Sequence, residues 1–259
     1  MNPLGSISDY VYSLSVDAGH ASLLLFRTVA ELRDVVRRGR SVAEQMYRVG
    51  ILSLPVVLLV ALFSGMVLAL QSGIELTRYG VQRQIGAIVA GAMFREMGPI
   101  MTAITLAGLV GSAIAAELGT MKVSDEIDAL EVMSISPVRF LVLPRFVAMA
   151  TFTPVLTVLA DLVGILGGAV VGRYQIGISY STYFDSARSA LLLVDVYGGL
   201  FKSFVFGILV VVVACSTGLR ASHGAEGVGK ATRTSVVVSF ILIIVFNYFL
   251  TSLLRYFYP

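Results

Sequence analysis

Residues 51–70 read ILSLPVVLLVALFSGMVLAL, a stretch of twenty positions without a charged side chain. An α-helix needs about 20 apolar residues to cross the hydrocarbon core of a bilayer. Four more apolar stretches follow, at residues 85–116, 146–172, 197–219 and 235–254. The pattern predicts an all-α integral membrane protein with five transmembrane helices, which we call spans 1 to 5.

The composition supports this fold class. Hydrophobic residues make up 57% of the chain and charged residues only 14%, whereas soluble domains average roughly 25% charged residues. The single cysteine, Cys215, excludes an intramolecular disulfide and a cysteine-based metal cluster. The net charge of +3 is small and its basic residues are dispersed, so we expect no nucleic-acid partner.

The N-terminal segment, residues 1–48, differs from the spans because charges interrupt it throughout. Leu25, Val29, Leu32 and Val36 recur at helical spacing. This spacing favours an amphipathic helix in the membrane interface, although a solvated helix would show the same pattern. The first residues lack a basic start followed by an apolar core, so we expect no cleaved signal peptide. Residues 49–259 form the five-span domain.

The distribution of Lys and Arg predicts the orientation. The N-terminal segment and the loops on its side carry twelve such residues, and the opposite side carries six. Cytoplasmic loops are enriched in Lys and Arg. We therefore expect a cytoplasmic N-terminus and a C-terminus on the opposite side.

Charged residues within the spans are the first candidate site residues. Arg95 and Glu96 interrupt span 2, where a charge costs several kcal/mol unless it is paired or faces water. They either face a polar cavity or have a structural role, in which Arg95 forms an ion pair or snorkels to an interface. Gly98-Pro99 should bend the helix beside them. Lys202, near the outer end of span 4, is expected to snorkel, with a headgroup contact as the alternative. Asp161 in span 3 is expected to bond to a neighbouring helix.

Small residues recur in two spans. Gly108 and Gly111 lie in span 2, and Gly164 and Gly167 lie in span 3. Such residues let helices approach closely in lipid. They predict tight bundling or dimerisation.

The loop between spans 2 and 3 predicts a short acidic helix over residues 124–133. Ser124 is its expected N-cap, Ile127 and Leu130 give it an apolar side, and Ser136-Pro137 should stop it. Its acidic residues are Asp125, Glu126, Asp128 and Glu131. The helix could dock in a groove of another protein or rest on its own bundle.

Residues 224–230, GAEGVGK, match a phosphate-binding loop up to the lysine. Ala231 stands where such a loop needs Ser or Thr, and the segment lies between two spans instead of following a strand. We therefore expect no nucleotide binding. No nucleophile, acid-base set or metal-ligand set has a recognisable spacing, so we predict that this chain is not an enzyme. If ATP drives the protein, another chain binds it.

Several motifs resemble one family. They are FREMGPI at 94–100, GSAIAAELGTMK at 111–122, EIDALEVM at 126–133, SPVR at 136–139, LPR at 143–145, GAEGVGKAT at 224–232 and YFLT at 248–251. From about residue 45 onward the chain resembles the MlaE/YrbE family of MCE-associated ABC transporter permeases. The segment before it is similar only in character.

The resemblance implies a homodimeric permease in the bacterial inner membrane. Its partners would be a cytoplasmic ABC ATPase (MlaF-like), a periplasmic MCE-domain protein (MlaD-like) and a STAS-domain protein (MlaB-like). ATP and Mg would be used by the ATPase, and this chain would carry no cofactor. The cargo would be phospholipid, moved between the inner membrane and the MCE-domain protein in support of outer-membrane lipid asymmetry.

The resemblance also implies roles for residues. The helix at 124–133, with Asp125, Glu126, Ile127, Asp128, Leu130 and Glu131, would be the coupling helix that receives the ATPase's motion. Lipid would occupy a cavity at the dimer interface, open to the periplasmic side. The matching positions are Leu70, Ile74, Tyr79, Arg95, Glu96 and Lys202.

Two other functions stay open from the residues. An ion-coupled secondary lipid transporter could use Glu96 or Asp161 as its carrier, although the sequence shows no internal repeat. A non-transporting membrane scaffold of an MCE assembly would need no lipid cavity.

Overall fold

The computed structural model describes residues 18–257, without the side chains of residues 36, 37 and 257. Most of the stretch on which the signal-peptide prediction was made, residues 1–17, lies outside the described residues. Five helices among the described residues are long and apolar enough to cross a membrane. The prediction of an all-α membrane protein with five spans is confirmed.

The described chain begins in a helix at residues 18–30. A 3₁₀-helix at Leu32–Arg38 and an α-helix at Gly39–Gly50 follow. The five spans in order are Leu54–Arg78, Gln82–Val123, Val138–Ile176, Leu193–Leu219 and Gly224–Phe257.

Two short helices connect spans. The loop helix, Glu126–Val132, joins spans 2 and 3, and the far helix, Tyr180–Ala190, joins spans 3 and 4. Successive spans with short connections run antiparallel. The loop helix therefore lies at the end of the bundle where span 1 begins, which we call the loop end. The far helix lies at the opposite end, the far end.

Span 2 is divided into segments. Two π-helical segments, Met93–Met97 and Ala107–Gly111, separate its three α-helical parts. A π-helical segment is usually short, and it often lies at a functional site. The first of them contains Arg95 and Glu96, so the interruption expected from their charges corresponds to a local change of helix type just before Pro99.

Several predicted boundaries were wrong. Span 5 begins at Gly224 instead of residue 235, so the segment resembling a phosphate-binding loop is helical. Ser124 ends the last helix of span 2, where its hydroxyl donates to the Thr120 carbonyl at 2.9 Å. The N-cap of the loop helix is Asp125, at a φ of 57°. The far helix was not predicted, although the Ser179 side chain caps it by accepting from the Thr182 amide at 3.1 Å.

Spans 3 and 4 form the interior of the bundle, whereas spans 1 and 5 are mostly exposed. Glycines make the close crossings: a side chain at Gly65 of span 1 would collide with the Gly164 carbonyl of span 3. A side chain at Gly207 of span 4 would meet the Met149 carbonyl of span 3. The predicted packing role holds for Gly164, Gly167 and Gly111, while a Cβ at Gly108 would meet no described atom within 4 Å.

The N-terminal helix at residues 18–30 has a side buried against the bundle and an exposed apolar side. Leu24 and Thr28 are buried, while Val29 and the following Leu32 are exposed. Phe26 is also exposed. Apolar side chains therefore face away from the bundle, as an interfacial helix requires, and placement in the membrane interface stays a prediction.

We expect Gly65→Ala to destabilise the bundle by about 1–3 kcal/mol, because the obstructing atom is a backbone oxygen that cannot rotate away. Gly229→Ala is the matched control, since that helical glycine is exposed and a Cβ there meets no described atom within 4 Å. Thermal unfolding of both variants in detergent tests this. Equal melting temperatures would contradict the proposed tight crossing.

Candidate functional site

A cavity of about 710 Å³ lies between the first half of span 2, the start of span 4 and the end of span 5. Its lining mixes charged, polar and apolar side chains. They are Arg95, Glu96, Leu192, Val194, Asp195, Gly198, Gly199, Lys202, Thr251, Leu254 and Arg255. The structure therefore brings three predicted site residues, Arg95, Glu96 and Lys202, together at one cavity.

The backbone of span 2 explains why the cavity forms here. Pro99 has no amide hydrogen, so it cannot donate to the Arg95 carbonyl four residues earlier. The Lys202 Nζ donates to that carbonyl instead, at 2.9 Å. Neighbouring groups that satisfy freed carbonyls are what make proline tolerable within a membrane helix. Gly199, one turn before Lys202, lets span 4 approach closely, since a Cβ there would collide with the Phe94 carbonyl.

Glu96 is the centre of a hydrogen-bonded cluster from three spans. Its Oε1 accepts from Lys202 Nζ at 2.7 Å and from the Thr251 hydroxyl at 2.8 Å. Its Oε2 accepts from Asn247 Nδ2 at 2.9 Å. Lys202 also donates to Thr251 Oγ1 at 2.7 Å and is only 2% exposed. The expectation that Lys202 snorkels was wrong, because a carboxylate and a free carbonyl hold its ammonium inside the bundle.

Arg95 lies on the outer side of this cluster. Its guanidinium donates to both carboxylate oxygens of Asp195, at 2.7 and 2.9 Å. Such bidentate pairs fix orientation as well as charge. The Arg95 side chain remains about half exposed. Arg95 and Glu96 therefore both form ion pairs and both line a cavity, so the structural and the cavity interpretation hold together.

The cavity has a positive balance and apolar walls. Arg95 pairs with Asp195, and Lys202 pairs with Glu96. Arg255 adds a further cation, which forms no ion pair with any described residue. Leu192, Val194 and Leu254 supply apolar surface beside these charges. This arrangement suits an amphipathic ligand with an anionic group.

The remaining predicted lining residues lie elsewhere. Leu70, Ile74 and Tyr79 are all exposed on span 1 or just after it. None of them lines the cavity described above. Their assignment to a dimer-interface cavity stays a prediction.

Asp161 does not bond to a neighbouring helix as expected. Its side chain is buried in span 3, and it forms no hydrogen bond or ion pair with a described residue. It packs against the bend of span 2, because Gly98 has no side chain to keep it away. Asp161 therefore lies close to the bend at Pro99 but outside the cavity lining.

The loop helix has one buried side and one exposed side. Ile127 is 3% exposed and belongs to the bundle core, and Leu130 packs against that core. Val132 and Met133 are 87% and 61% exposed. The acidic residues Asp125, Glu126, Asp128 and Glu131 are exposed as well. The helix thus rests on its own bundle through Ile127 and still offers an acidic surface with an apolar end.

The sequence analysis missed four polar residues that line the cavity or bond to Glu96. They are Asp195, Asn247, Thr251 and Arg255. Asn247 and Thr251 are polar residues one turn apart in an otherwise apolar part of span 5. That spacing places them on one helix face, a signal that could have paired them with the charges of span 2. Asp195 gave no comparable signal, because it lies at the start of a span.

The chain is similar in sequence to known membrane permeases. Residues 42–253 match the family described as Permease MlaE. A probable ABC transporter permease protein of Rickettsia typhi is 40% identical over 82% of both chains. The intermembrane phospholipid transport system permease protein MlaE of Haemophilus influenzae is 30% identical over 98% of both chains. The chloroplastic protein TRIGALACTOSYLDIACYLGLYCEROL 1 of Arabidopsis thaliana is 40% identical over 82% of this chain and 61% of that protein.

We expect Lys202→Met to destabilise the protein by about 2–3 kcal/mol, because the half-buried Glu96 carboxylate loses its cation and the Arg95 carbonyl loses its donor. Adding Glu96→Gln should recover a large part of this loss, since no unpaired charge then remains. Unfolding of the two single variants and the double variant, measured as a double-mutant cycle, gives the coupling between them. Additive losses would show that the pair is energetically unimportant.

Proposed function

Because the chain belongs to the MlaE permease family, we propose that it moves phospholipid between the inner membrane and a periplasmic MCE-domain protein. As an ABC transporter permease it is the membrane subunit of the transporter and not the ATPase. The phospholipid cargo is supported by the name of the Haemophilus influenzae relative. Transport of this kind would contribute to outer-membrane lipid asymmetry.

The observation that carries this proposal is the cavity at Arg95, Glu96 and Lys202. A phospholipid needs a cation or donor for its phosphate and apolar walls for its acyl chains. Arg95 is half exposed and Arg255 has no ion-pair partner among the described residues, so both can receive a phosphate. Glu96 and Lys202 hold spans 2, 4 and 5 around the space. The permease makes and breaks no covalent bond in this process.

The loop helix is the proposed contact with the ATPase. Its exposed acidic residues and its exposed end at Val132 and Met133 offer charge and apolar surface to a groove. Ile127 anchors the same helix in the core. A displacement of the helix would therefore be transmitted to spans 2 and 3 instead of being lost in a flexible loop.

The assembly around the permease is part of the proposal. Two copies of the chain would form a homodimer, with Leu70, Ile74 and Tyr79 of the exposed span 1 facing a shared lipid space. The ATPase (MlaF-like) and a STAS-domain protein (MlaB-like) would lie on the cytoplasmic side, which is the loop end. The MCE-domain protein (MlaD-like) would lie at the far end, where the cavity is. The N-terminus would be cytoplasmic and the C-terminus periplasmic.

The alternative of an ion-coupled lipid carrier has less support from the site. Glu96 accepts hydrogen bonds from Lys202, Thr251 and Asn247, so releasing its charge would disrupt three contacts. A membrane scaffold without transport would leave the cavity without a ligand. Purification from native membranes, with mass spectrometry of proteins and lipids, separates these functions. Recovery of an ATPase, an MCE-domain protein and phospholipid together supports transport, and a complex without lipid supports the scaffold.

We expect Val132→Asp to abolish ATPase association and transport while the protein remains folded. Val132 is almost fully exposed, so a charge there disturbs docking without entering the core. It is a sharper test than Leu130→Asp, because Leu130 also packs against the bundle. Val132→Thr keeps the shape without the charge and serves as the control. A Val132→Asp complex that assembles and transports normally would exclude this contact.

We expect Glu96→Arg to reduce the phospholipid recovered by a photoactivatable crosslinker at Val194, which lines the cavity, because the reversed charge repels Lys202 and deforms the cavity. The same crosslinker at Ile241, exposed on span 5, reports bulk lipid and should be unaffected. Equal crosslinking at Val194 with and without Glu96→Arg would show that the charged cluster does not shape the lipid site.

A further inference from the structure

A second cavity lies at the loop end, far from the one at Arg95. Its volume is about 370 Å³, and it is lined by Asp34, Arg38, Arg40, Ser41 and Arg139. The 3₁₀-helix at Leu32–Arg38 and the first turn of Gly39–Gly50 form one wall. The start of span 3, at Arg139, forms the other. The proposed transport cycle assigns no role to this cavity.

The three arginines of this cavity differ in their contacts. Arg139 pairs with Asp34 at 3.1 Å and lies 3.9 Å from Glu31. The Arg38 guanidinium lies 4.8 Å from the centre of the Phe140 ring, a cation–π contact that leaves its N–H groups able to donate. Arg40 is exposed and forms no ion pair with a described residue. The lining therefore carries three cations and one carboxylate, with the Ser41 hydroxyl as a further donor.

This donor set suits a phosphate group. Guanidinium groups bind phosphate oxygens in bidentate geometry, and a hydroxyl can complete the set. Asp34 does not make the net charge of the lining negative, because Arg139 already neutralises its carboxylate. A cation would find only Asp34 as a charged ligand, so the cavity favours anions.

The surroundings indicate that the phosphate belongs to a lipid. The cavity lies between the N-terminal helices and the first turn of span 3, a helix long and apolar enough to cross a membrane. Leu32 and Phe140 beside it are exposed, as acyl-chain contacts require. Basic pockets at the ends of spans are typical sites for anionic lipid headgroups. We propose that Arg38, Arg40, Ser41 and Arg139 bind the headgroup phosphate of an anionic phospholipid, at a site separate from the transport cavity.

A bound lipid at this site would connect two parts of the chain. Arg38 and Arg40 belong to the N-terminal segment and Arg139 belongs to span 3. Asp34 and Glu31 already pair with Arg139 across these two parts. A phosphate bound by arginines from both parts would further fix the N-terminal segment against span 3.

The absence of tryptophan from the sequence allows a direct test. Phe140→Trp places one fluorophore in the ring position under Arg38, where the larger ring keeps the cation–π contact. The full-length variant is reconstituted in phosphatidylcholine vesicles that contain a small fraction of brominated phosphatidylglycerol or brominated phosphatidylcholine. We expect the anionic brominated lipid to quench the fluorescence at lower mole fraction than the neutral one.

Arg40→Gln in the Phe140→Trp background should reduce this preference by about fivefold, the effect of one arginine near anionic lipid. Arg40 is exposed, so its loss leaves the fold intact. Arg27→Gln is the matched control, because Arg27 is exposed on the N-terminal helix but does not line the cavity. Asp34→Asn should increase the preference for the anionic lipid, because it removes the only carboxylate among the described residues of the lining. Misfolding cannot account for such an increase.

Three outcomes would overturn the proposal. They are equal quenching by the two brominated lipids, equal loss of preference in Arg40→Gln and Arg27→Gln, and removal of the preference by millimolar inorganic phosphate. The second would mean that only general surface charge is involved. The third would mean that the site takes free phosphate instead of lipid.

Discussion

The hydrogen bond from Lys202 Nζ to the Arg95 carbonyl is the interaction on which the arrangement of the far end depends. Inside a bilayer no water is available to satisfy a carbonyl that proline has freed, and each unsatisfied group costs several kcal/mol. Lys202 satisfies the carbonyl but introduces a charge. Glu96 neutralises that charge, and Thr251 and Asn247 donate further hydrogen bonds to Glu96. One proline in span 2 thus requires polar partners from spans 4 and 5.

The same requirement explains why the cavity has both charged and apolar walls. The polar cluster joins spans 2, 4 and 5 by direct hydrogen bonds, and Gly199 lets spans 2 and 4 approach closely beside it. Arg95 and Asp195 continue the polar surface outward. The apolar side chains next to them belong to the N-cap and first turn of span 4 and to the end of span 5.

The sequence predicted the spans well because a run of about twenty apolar residues is typical of a helix that crosses a bilayer. It predicted boundaries poorly where polar residues begin a helix, as in span 5, where the first turns carry Glu226 and Lys230 yet are helical. It identified Arg95 and Glu96 because a charge within a span is conspicuous. Whether Lys202 points into the bundle depends on which face span 4 turns inward. Asp195, which pairs with Arg95, is 100 positions away from it in the sequence. No local pattern contains that information.

The site and the proposed ATPase contact lie at opposite ends of one span, and this limits how they can be coupled. Span 2 carries Arg95 and Glu96 in its first half and connects to the loop helix at its other end. There Glu117 pairs with the buried Arg145 of span 3 at 2.9 Å, so the two spans are fastened together beside the loop helix. A displacement of the loop helix must then move both spans at that end. The π-helical segment at Ala107–Gly111 lies between this pair and the cavity, and the segment at Met93–Met97 contains the cavity residues Arg95 and Glu96. Since π-helical segments are the less regular parts of a helix, we expect span 2 to bend at these segments, next to Glu96.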